Sequence, residues 1–455
     1  MQPSRLGNND APAQSPEAEQ QREHQIKRLV EDYERQLRQS LPQGTPTLDE
    51  IEQAVEEIGA QVKKTLHQEV LDTLGSGYVG KTARCPRKGC GKPARYVAKY
   101  ARQLVTLHGV QRLRRAYYHC PGCRRGFCPL DAALGLPSGQ CSLRVRALAC
   151  RFATFLPFAI AARELEGVCG VRLSASTIRR ETHKVGQQLC RDWAKTQRQV
   201  LEASPEQALA LQPKRCAERL HLSMDGVMVH AGGQWREAKV GVTYQSEATG
   251  GVANARYCAT LCSSGEFGRR AVALCWASGA PSGKRLAVVA DGGPWIWQEV
   301  GKYFPHSTQI LDFYHAGGHL WAVAEARFGA DQKAARDWMG QQTEHLLGDK
   351  VAEVLAQLEG WQARGEQQER LQRTTVAYFR EHAGRMCYGT LRAAGWHIGS
   401  GVVESACKSV VQQRMKGAGM RWSERGAEAL LHLRADWCSA GHTDFLPAVQ
   451  RAAYS

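Results

Sequence analysis

The sequence lacks a hydrophobic run long enough to cross a membrane. Its longest nearly uninterrupted apolar stretch, residues 152–162, is 11 residues long, whereas a membrane-spanning helix needs about 20. Residues 1–40 are polar and charged, without the basic and then apolar segments of a secretory signal. These absences exclude the membrane and secreted classes, and we expect a cytoplasmic protein.

Acidic residues are missing from residues 81–130, which carry 13 Lys or Arg. The whole chain has a formal net charge of +16, although residues 1–80 hold 8 Lys or Arg against 14 Asp or Glu. A polycationic segment repels itself unless it meets a polyanion, and nucleic-acid phosphates are such a polyanion. We therefore expect nucleic acid to be the main partner. The alternative is a soluble protein that is merely basic.

The length of 455 residues and the 43% hydrophobic content predict two to four globular domains. Helical spacing indicates a helical arm over residues 1–80, whose first 20 residues we expect to be disordered. Cysteine pairs and strand-like runs define residues 81–138, and residues 139–205 are predicted to be helical. In residues 206–455 the order β-β-β-α-β-α-β-α predicts a mixed α/β sheet. Residues 320–385 contain no strand-like run and are predicted to be all-helical.

Two close cysteine pairs, each with Pro and Gly inside it, stand 29 residues apart. Tetrahedral zinc needs four soft ligands, and a tight turn with two cysteines supplies two of them. The basic segment between the pairs would be the hairpin of a zinc ribbon, and such a closed site is structural. Because the first pair is widely spaced, His119 or Cys128 could replace one ligand. The four predicted zinc ligands are Cys85, Cys90, Cys120 and Cys123.

A helix-turn-helix pattern is predicted inside the helical region. One helix covers residues 161–168, the turn covers residues 170–173, and the second helix runs from about residue 174 to 188. Arg179, Arg180 and Lys184 lie on or near the second helix and would reach phosphates and base edges. The alternative is an ordinary pair of packed helices.

Three carboxylates lie where a strand or a helix end would expose them. Asp225 has apolar neighbours in a predicted strand, Asp291 directly follows the apolar run 286–290, and Glu404 lies in the first turn of a final helix at about residues 402–416. Open α/β sheets place their sites at the carboxyl ends of strands. Converging carboxylates would suit two Mg²⁺ or Mn²⁺ ions, which can activate water and hold the oxygens of a phosphodiester displacement.

Longer motifs make the sequence resemble the ISKra-type insertion-sequence transposases over roughly residues 81–436. The motifs are MDGVMVH at 224–230, WREAKVG at 235–241, ADGGPWIW at 290–297, LDFYH at 311–315, IGSGVVESACK at 398–408 and RMKGAGMRW at 414–422. This family resembles the DDE transposases, which are related to the Mutator-like group. The resemblance implies an α/β RNase H-like catalytic core with an all-helical insertion at about residues 320–396, preceded by a zinc ribbon and a helix-turn-helix-like domain.

The resemblance also implies roles for particular residues. Asp225, Asp291 and Glu404 would form the catalytic triad that binds Mg²⁺ or Mn²⁺. Asp312 and His315 match an Asp-x-x-His motif and would support the triad or position DNA. Which of Asp291 and Asp312 binds the metal stays open, although Asp291 is favoured because it lies directly at a strand end.

The implied activity is metal-assisted nicking of transposon ends by water, followed by attack of the freed 3′-hydroxyl on target DNA. The partners would be the terminal inverted repeats and the target DNA, bound by a homodimer or a larger assembly in the bacterial cytoplasm at the nucleoid. Two alternatives are a non-catalytic DNA-binding regulator and a structure-selective RNase H-like nuclease. A buried aromatic is the alternative interpretation of Trp422. The expected DNA contacts near the final helix are Lys408, Arg414, Lys416, Arg421 and Trp422.

Overall fold

The computed structural model describes residues 16–203, 219–247, 251–279, 285–442 and 444–454. The chain divides into two compact units, Met1–Glu181 with Phe445–Ser455, and Thr182–Asp444. Within the described ranges, no helix is both long and apolar enough to cross a bilayer. Most of the predicted disordered start lies outside the described residues, but a helix already begins at Pro16.

The first unit begins with two long helices, α1 (Pro16–Ser40) and α2 (Leu48–Asp72). Residues 41–47, which include two prolines and a glycine, separate them. Helix α2 starts at a capping box, in which the Glu50 N–H donates to the Thr47 hydroxyl at 3.3 Å and the Glu50 carboxylate accepts from the Thr47 N–H at 2.8 Å. The predicted helical arm is therefore present.

A four-stranded antiparallel sheet follows, in the order β1-β2-β3-β4. Its two central strands form a long hairpin that turns at Gly109, whose φ is +84°. Behind the hairpin lies a small core that includes Ala94, Ala116 and Tyr118. The strands are β1 (Thr82–Arg84), β2 (Pro93–Thr106), β3 (Gly109–Cys120) and β4 (Arg125–Phe127).

The next helices contain the predicted helix-turn-helix pattern. Helix α5 ends at Gly170, which adopts a left-handed φ of +62° that glycine permits without strain. The second helix of the pattern, α6, extends to Glu202 and is thus longer than predicted. The helices are α3 (Pro129–Ala133), α4 (Leu143–Phe155), α5 (Phe158–Cys169) and α6 (Ala175–Glu202).

The second unit contains a five-stranded mixed sheet in the order β7-β6-β5-β8-β9. Strands β5, β6 and β7 form an antiparallel meander, while β8 and β9 are parallel to β5. The predicted mixed α/β sheet is confirmed, including its first three antiparallel strands. The strands are β5 (Leu220–Ala231), β6 (Gln234–Ser246), β7 (Val252–Thr260), β8 (Leu286–Ala290) and β9 (Thr308–Leu311).

Helices connect the parallel strands and continue beyond the last one. Helix α7 (Ser264–Ala277) precedes β8, and α8 (Pro294–Tyr303) joins β8 to β9. The described residues between β9 and residue 400 form no strand, so the predicted helical character of residues 320–385 is confirmed. Its helices are α9 (Phe313–Phe328), α10 (Gln332–Leu347), α11 (Val351–Glu359), α12 (Glu366–His382) and α13 (Tyr388–Ala393).

The last part of this unit covers the opposite face of the sheet. Along β5, Leu222 and Met224 pack with the helices that follow the strands, whereas Val227 and Val229 pack with Val410 and the C-terminal helices. Side chains alternate along a strand, so Asp225 faces the C-terminal helices. These are α14 (Gly401–Ala406), its π-helical continuation Cys407–Gln412, α15 (Gln413–Met415) and α16 (Glu424–Cys438); α17 (Leu446–Tyr454) belongs to the first unit.

Candidate active site

Three aspartates stand at matching positions on neighbouring parallel strands. The last residue pair between β5 and β8 lies two positions before Asp225 on one strand and two positions before Asp291 on the other. The last residue pair between β8 and β9 lies one position before Asp291 and one position before Asp312. Neighbouring strands are about 4.8 Å apart. The Asp312 N–H donates to the Ala290 carbonyl at 2.8 Å and extends this ladder. The three aspartates therefore lie side by side toward the carboxyl ends of the three parallel strands, which we call the carboxylate edge of the sheet.

Asp225 is half-buried and has two hydrogen-bond donors. The Gly226 N–H donates to one carboxylate oxygen at 2.6 Å, and the Cys407 thiol donates to the other at 3.3 Å. Burial raises the pKa of Asp225, and the negative charges of Asp291 and Glu404 raise it further. The three predicted triad members thus lie near enough for their charges to interact.

Asp291 begins the loop between β8 and α8. The Gly293 N–H donates to its carboxylate at 2.9 Å, and the Trp297 indole N–H donates to its backbone carbonyl at 2.8 Å. A Cβ atom at Gly292 would lie 2.2 Å from the Tyr378 ring, so only glycine fits there. Helix α12 of the insertion therefore packs directly against the loop that carries Asp291.

Asp312 is buried, and both of its carboxylate oxygens are hydrogen-bonded. It caps α9 by accepting from the Tyr314 N–H at 2.9 Å, and it accepts from the Ser400 hydroxyl at 2.5 Å. Ser400 also lies 3.4 Å from the carboxylate of Glu404, which is exposed on the first turn of α14. Ser400 thus connects the third aspartate to the glutamate. Of the two candidates for the second metal ligand, Asp291 is the more accessible.

Within the described residues, no protein cation forms an ion pair with these carboxylates. Among the ion pairs formed by the described residues, none involves Asp225, Asp291, Asp312 or Glu404. Carboxylate oxygens are the ligands that hard divalent ions prefer. The oxygens of the triad are not, however, among the described groups whose ligand atoms all lie within 4.8 Å of one another. The carboxylate ligands suit such ions chemically. The triad oxygens, however, lie farther apart than the ligand atoms of a closed site for a single ion.

An aromatic and histidine cluster lies beside the carboxylates, and two of its members, Tyr378 and His382, were not predicted from the sequence. His315 is exposed on α9, 5.2 Å from the His319 ring, which stacks on Tyr378 at 4.1 Å. Tyr378 also contacts His382 at 4.8 Å. Burial raises the pKa of Tyr378, and the charges of Asp291 and Asp312 raise it further, so its hydroxyl stays protonated. That hydroxyl is buried and has no hydrogen-bond partner among the described residues.

The predicted DNA contacts near α14 divide into exposed and interior residues. Lys408, Lys416 and Arg421 are exposed, whereas Arg414 is only 1% exposed. The Arg414 guanidinium lies 5.0 Å from the Trp422 ring, whose indole N–H donates to a backbone carbonyl. The prediction that Arg414 contacts DNA is wrong for this structure, because the chain turns that side chain into the core. Trp422 is half-buried and fits the alternative of a packed aromatic.

On helix α6, the predicted contacts Arg179, Arg180 and Lys184 are all exposed. Arg180 lies 3.5 Å from the Glu181 carboxylate. These positions are compatible with binding a phosphate backbone.

The four predicted cysteines of the first unit form a cluster. The sulfurs of Cys85 and Cys123 are 3.7 Å apart, as are those of Cys90 and Cys120. All four sulfurs lie within 4.8 Å of one another. Four thiolates at the usual zinc–sulfur distance would be about 3.8 Å apart at the corners of a tetrahedron. The cluster could therefore hold a structural metal ion such as zinc.

Local hydrogen bonds favour the thiolate form of Cys120. The Cys123 and Gly122 N–H groups outweigh burial and lower the pKa of Cys120 to about 7. His119 and Cys128, the alternative ligands, lie outside the cluster. Both cysteines of the widely spaced first pair therefore belong to the cluster.

A second cluster, Cys190, Glu428 and His432, was not predicted from the sequence. Its ligand atoms lie within 4.8 Å of one another. The Arg270 guanidinium lies 2.9 Å from the His432 ring and 3.8 Å from Glu428. A cation already occupies this position, so the cluster acts as a buried charge network between α6, α7 and α16. Buried charges of this kind are strongly destabilising when one partner is removed.

Glu428 should make the stability of the second unit depend on pH. Burial alone would raise the pKa of Glu428, but His432, the Leu261 N–H and the Thr260 hydroxyl together lower it to about 2. A lowered pKa gives stability that is present above the unfolded value and is lost as the pH falls through the folded value. Glu428→Gln should therefore cost about 3 kcal/mol at pH 7. Urea unfolding should show this cost shrinking below about pH 4.5.

A matched variant is Glu353→Gln on α11, where the carboxylate is exposed. Its unfolding free energy should follow that of the wild type at every pH. A Glu428→Gln cost that stays constant from pH 7 to pH 3 would contradict the ionised network.

Neither a scan of protein-family models nor a search of curated proteins finds a match for this chain. The resemblance to ISKra-type transposases therefore stays a prediction.

Proposed function

We propose that this protein is a DDE-type DNA transposase with an RNase H-like core. In this proposal, it nicks transposon ends and joins the freed 3′-hydroxyl to target DNA. One observation carries the proposal: Asp225 on β5, Asp291 at the end of β8 and Glu404 on α14 lie near enough for their charges to interact, and none of the ion pairs among the described residues involves them.

The residues that would hold two Mg²⁺ or Mn²⁺ ions are Asp225, Asp291 and Glu404. When bound, such ions supply charge neutralisation at the scissile phosphate and activation of the attacking oxygen. The remaining groups orient these ligands. Cys407 holds one oxygen of Asp225, and Ser400 holds Asp312 next to Glu404. Groups that fix metal ligands in this way affect activity strongly although they do not touch the ion.

The first unit supports DNA as the substrate. Its β2–β3 hairpin exposes Lys99, Arg112 and Arg114 along one face, and Arg95 on the other. Such a ribbon suits a phosphate backbone, whose contacts position a protein on DNA without reading its sequence. The four-cysteine cluster at the base of the hairpin would hold zinc and keep the ribbon folded.

The test uses the full chain, labelled DNA ends that carry the element's terminal repeats, and a supercoiled target plasmid. With Mg²⁺, the transposase should release 3′-hydroxyl ends and then transfer the label to the plasmid, and a chelator should stop both steps. Cleavage without transfer would instead indicate a structure-selective nuclease. Binding to the repeats without any cleavage would indicate a regulator, and either result would overturn the proposal.

A further inference from the structure

An unusual surface runs along helix α9 from the carboxylate edge. Tyr314 is 73% exposed and Trp321 is 39% exposed, and Gly317 and Gly318 lie between them. The spacing of three, four and seven residues places all four on one side of the helix. We call these four residues the aromatic stripe. Two exposed aromatic side chains on one side of a helix next to a candidate active site suit ligand binding.

The two glycines of the stripe have no role in the packing of the protein. Glycine inside a helix is destabilising relative to alanine. A Cβ atom at Gly317 or Gly318 would meet no atom within 4 Å, and neither residue has a positive φ. Nothing within the described part of the chain therefore requires glycine at these positions. Close approach of an external molecule would explain them, since glycine is found where a ligand contacts the backbone.

The stripe begins at the proposed catalytic site. Tyr314 follows the cap residue Asp312, and its backbone N–H donates to that carboxylate. Its ring lies against Gly399, where a Cβ would come within 2.8 Å of the ring. Gly399 precedes Ser400, which contacts Glu404. The Tyr314 ring is thus held beside the loop that carries the third carboxylate, and the stripe leads away from there.

We propose that the aromatic stripe binds an unpaired segment of the DNA strand next to the scissile phosphate. The inference rests on the proposed function, which makes DNA the substrate. Aromatic side chains stack on the bases of single strands whatever their sequence. Seven helical residues span about 10.5 Å, which equals roughly three nucleotide steps of 3.4 Å.

The charge of helix α9 is compatible with a nucleic-acid strand as the occupant. Helix α9 has no Asp or Glu from Phe313 to Ala324, so no carboxylate of that helix would repel a phosphate there. His315 is exposed beside Tyr314. A protein helix would need a continuous apolar groove, whereas this stripe separates its two rings with glycine.

The decisive experiment compares stability with single-strand binding. The probe is a fluorescein-labelled oligonucleotide, used as a single strand and as a duplex, with the full chain. Tyr314→Ala and Trp321→Ala should each weaken single-strand binding by about fivefold to a hundredfold. Gly318→Ala should raise the melting temperature by about 2–4 °C because alanine favours the helix. The same change should weaken single-strand binding several-fold, since its methyl group would separate the strand from the helix.

Matched controls come from the same chain. Gly340→Ala on α10 replaces another exposed helical glycine whose Cβ would meet nothing within 4 Å. It should raise the melting temperature similarly and leave binding unchanged. Trp235→Ala removes a 62% exposed indole elsewhere and should also leave binding unchanged.

The outcomes separate this inference from the proposed function. If the stripe variants lose single-strand affinity but the wild type never cleaves DNA, the stripe assignment stands and the transposase proposal fails. If cleavage occurs and the stripe variants bind single strands like the wild type, the stripe assignment is overturned. Loss of self-association instead of DNA binding would identify a protein partner and would likewise overturn it.

Discussion

Asp225→Asn should lower metal-dependent DNA cleavage by about a thousandfold or more. The proposed ions contribute several kcal/mol of charge stabilisation in the transition state, and each 1.4 kcal/mol is a factor of ten in rate. The amide keeps the shape of the carboxylate and can still accept from the Gly226 N–H. It lacks the negative charge that would bind the ions, so the loss should appear in the cleavage rate. The measurement is the initial rate of nicking of a labelled transposon end.

The same variant should not lose stability when a chelator is present. Burial and two neighbouring carboxylates raise the pKa of Asp225, so its ionised form is disfavoured in the folded protein. A neutral amide removes this penalty, and the melting temperature should stay equal or rise. Activity and stability should therefore change in different directions, which a general folding defect would not produce.

Asp337→Asn provides the matched control, since Asp337 is an exposed aspartate on α10. Its cleavage rate and melting temperature should equal those of the wild type. Full cleavage by Asp225→Asn would show that this carboxylate is not a metal ligand, and the catalytic assignment would then be wrong.

Much of the second unit could be predicted because each of its strands leaves a local signal. The apolar run 286–290 is β8, and the residue after it is at the carboxyl end of a parallel strand. The helical segment that follows has no alternating pattern, so it was correctly excluded from the sheet. These predictions depend on neighbours within about ten residues, which is the range over which periodicity is informative.

The supporting groups of the site could not be predicted, because they come from distant parts of the chain. Cys407 and Ser400 reach their aspartates across 182 and 88 residues. Tyr378 lies in the middle of an ordinary helical segment, and its only signal is Gly292, which has no side chain where the ring lies. A sequence shows that glycine is present but not what occupies the space beside it.

The incorrect DNA contact has a similar cause. Arg414 is followed within two residues by Lys416, and both appear in a basic motif. Arg414 lies four residues after Val410 and continues the buried side of the final helix, so it enters the core, while Lys416 lies on another side and stays exposed. Charge predicts that a segment is basic, but the local backbone decides which of its side chains reach the surface.

The double variant Cys120→Ser and Cys123→Ser should abolish zinc binding and unfold the four-stranded sheet of the first unit. The core of this sheet is small, and structural zinc in such modules contributes roughly 10–16 kcal/mol to folding. A hydroxyl is a poor substitute for a thiolate ligand, and both replaced sulfurs come from the same turn. Hydrogen exchange should therefore increase in β1 to β4, and the bound zinc measured by mass spectrometry should fall from about one ion per chain to none.

Cys387→Ser separates this effect from the loss of any cysteine, since Cys387 is an exposed thiol outside the cluster. It should keep both its zinc and its slow hydrogen exchange in the ribbon. The second unit supplies a further internal control, because its sheet has its own core and should keep its protection in the double variant. DNA affinity should fall together with the ribbon, since the exposed arginines of β2 and β3 are held in place by the strands that the metal fixes. Retention of one zinc per chain after both replacements would show that other residues bind the metal and would refute the four-cysteine assignment.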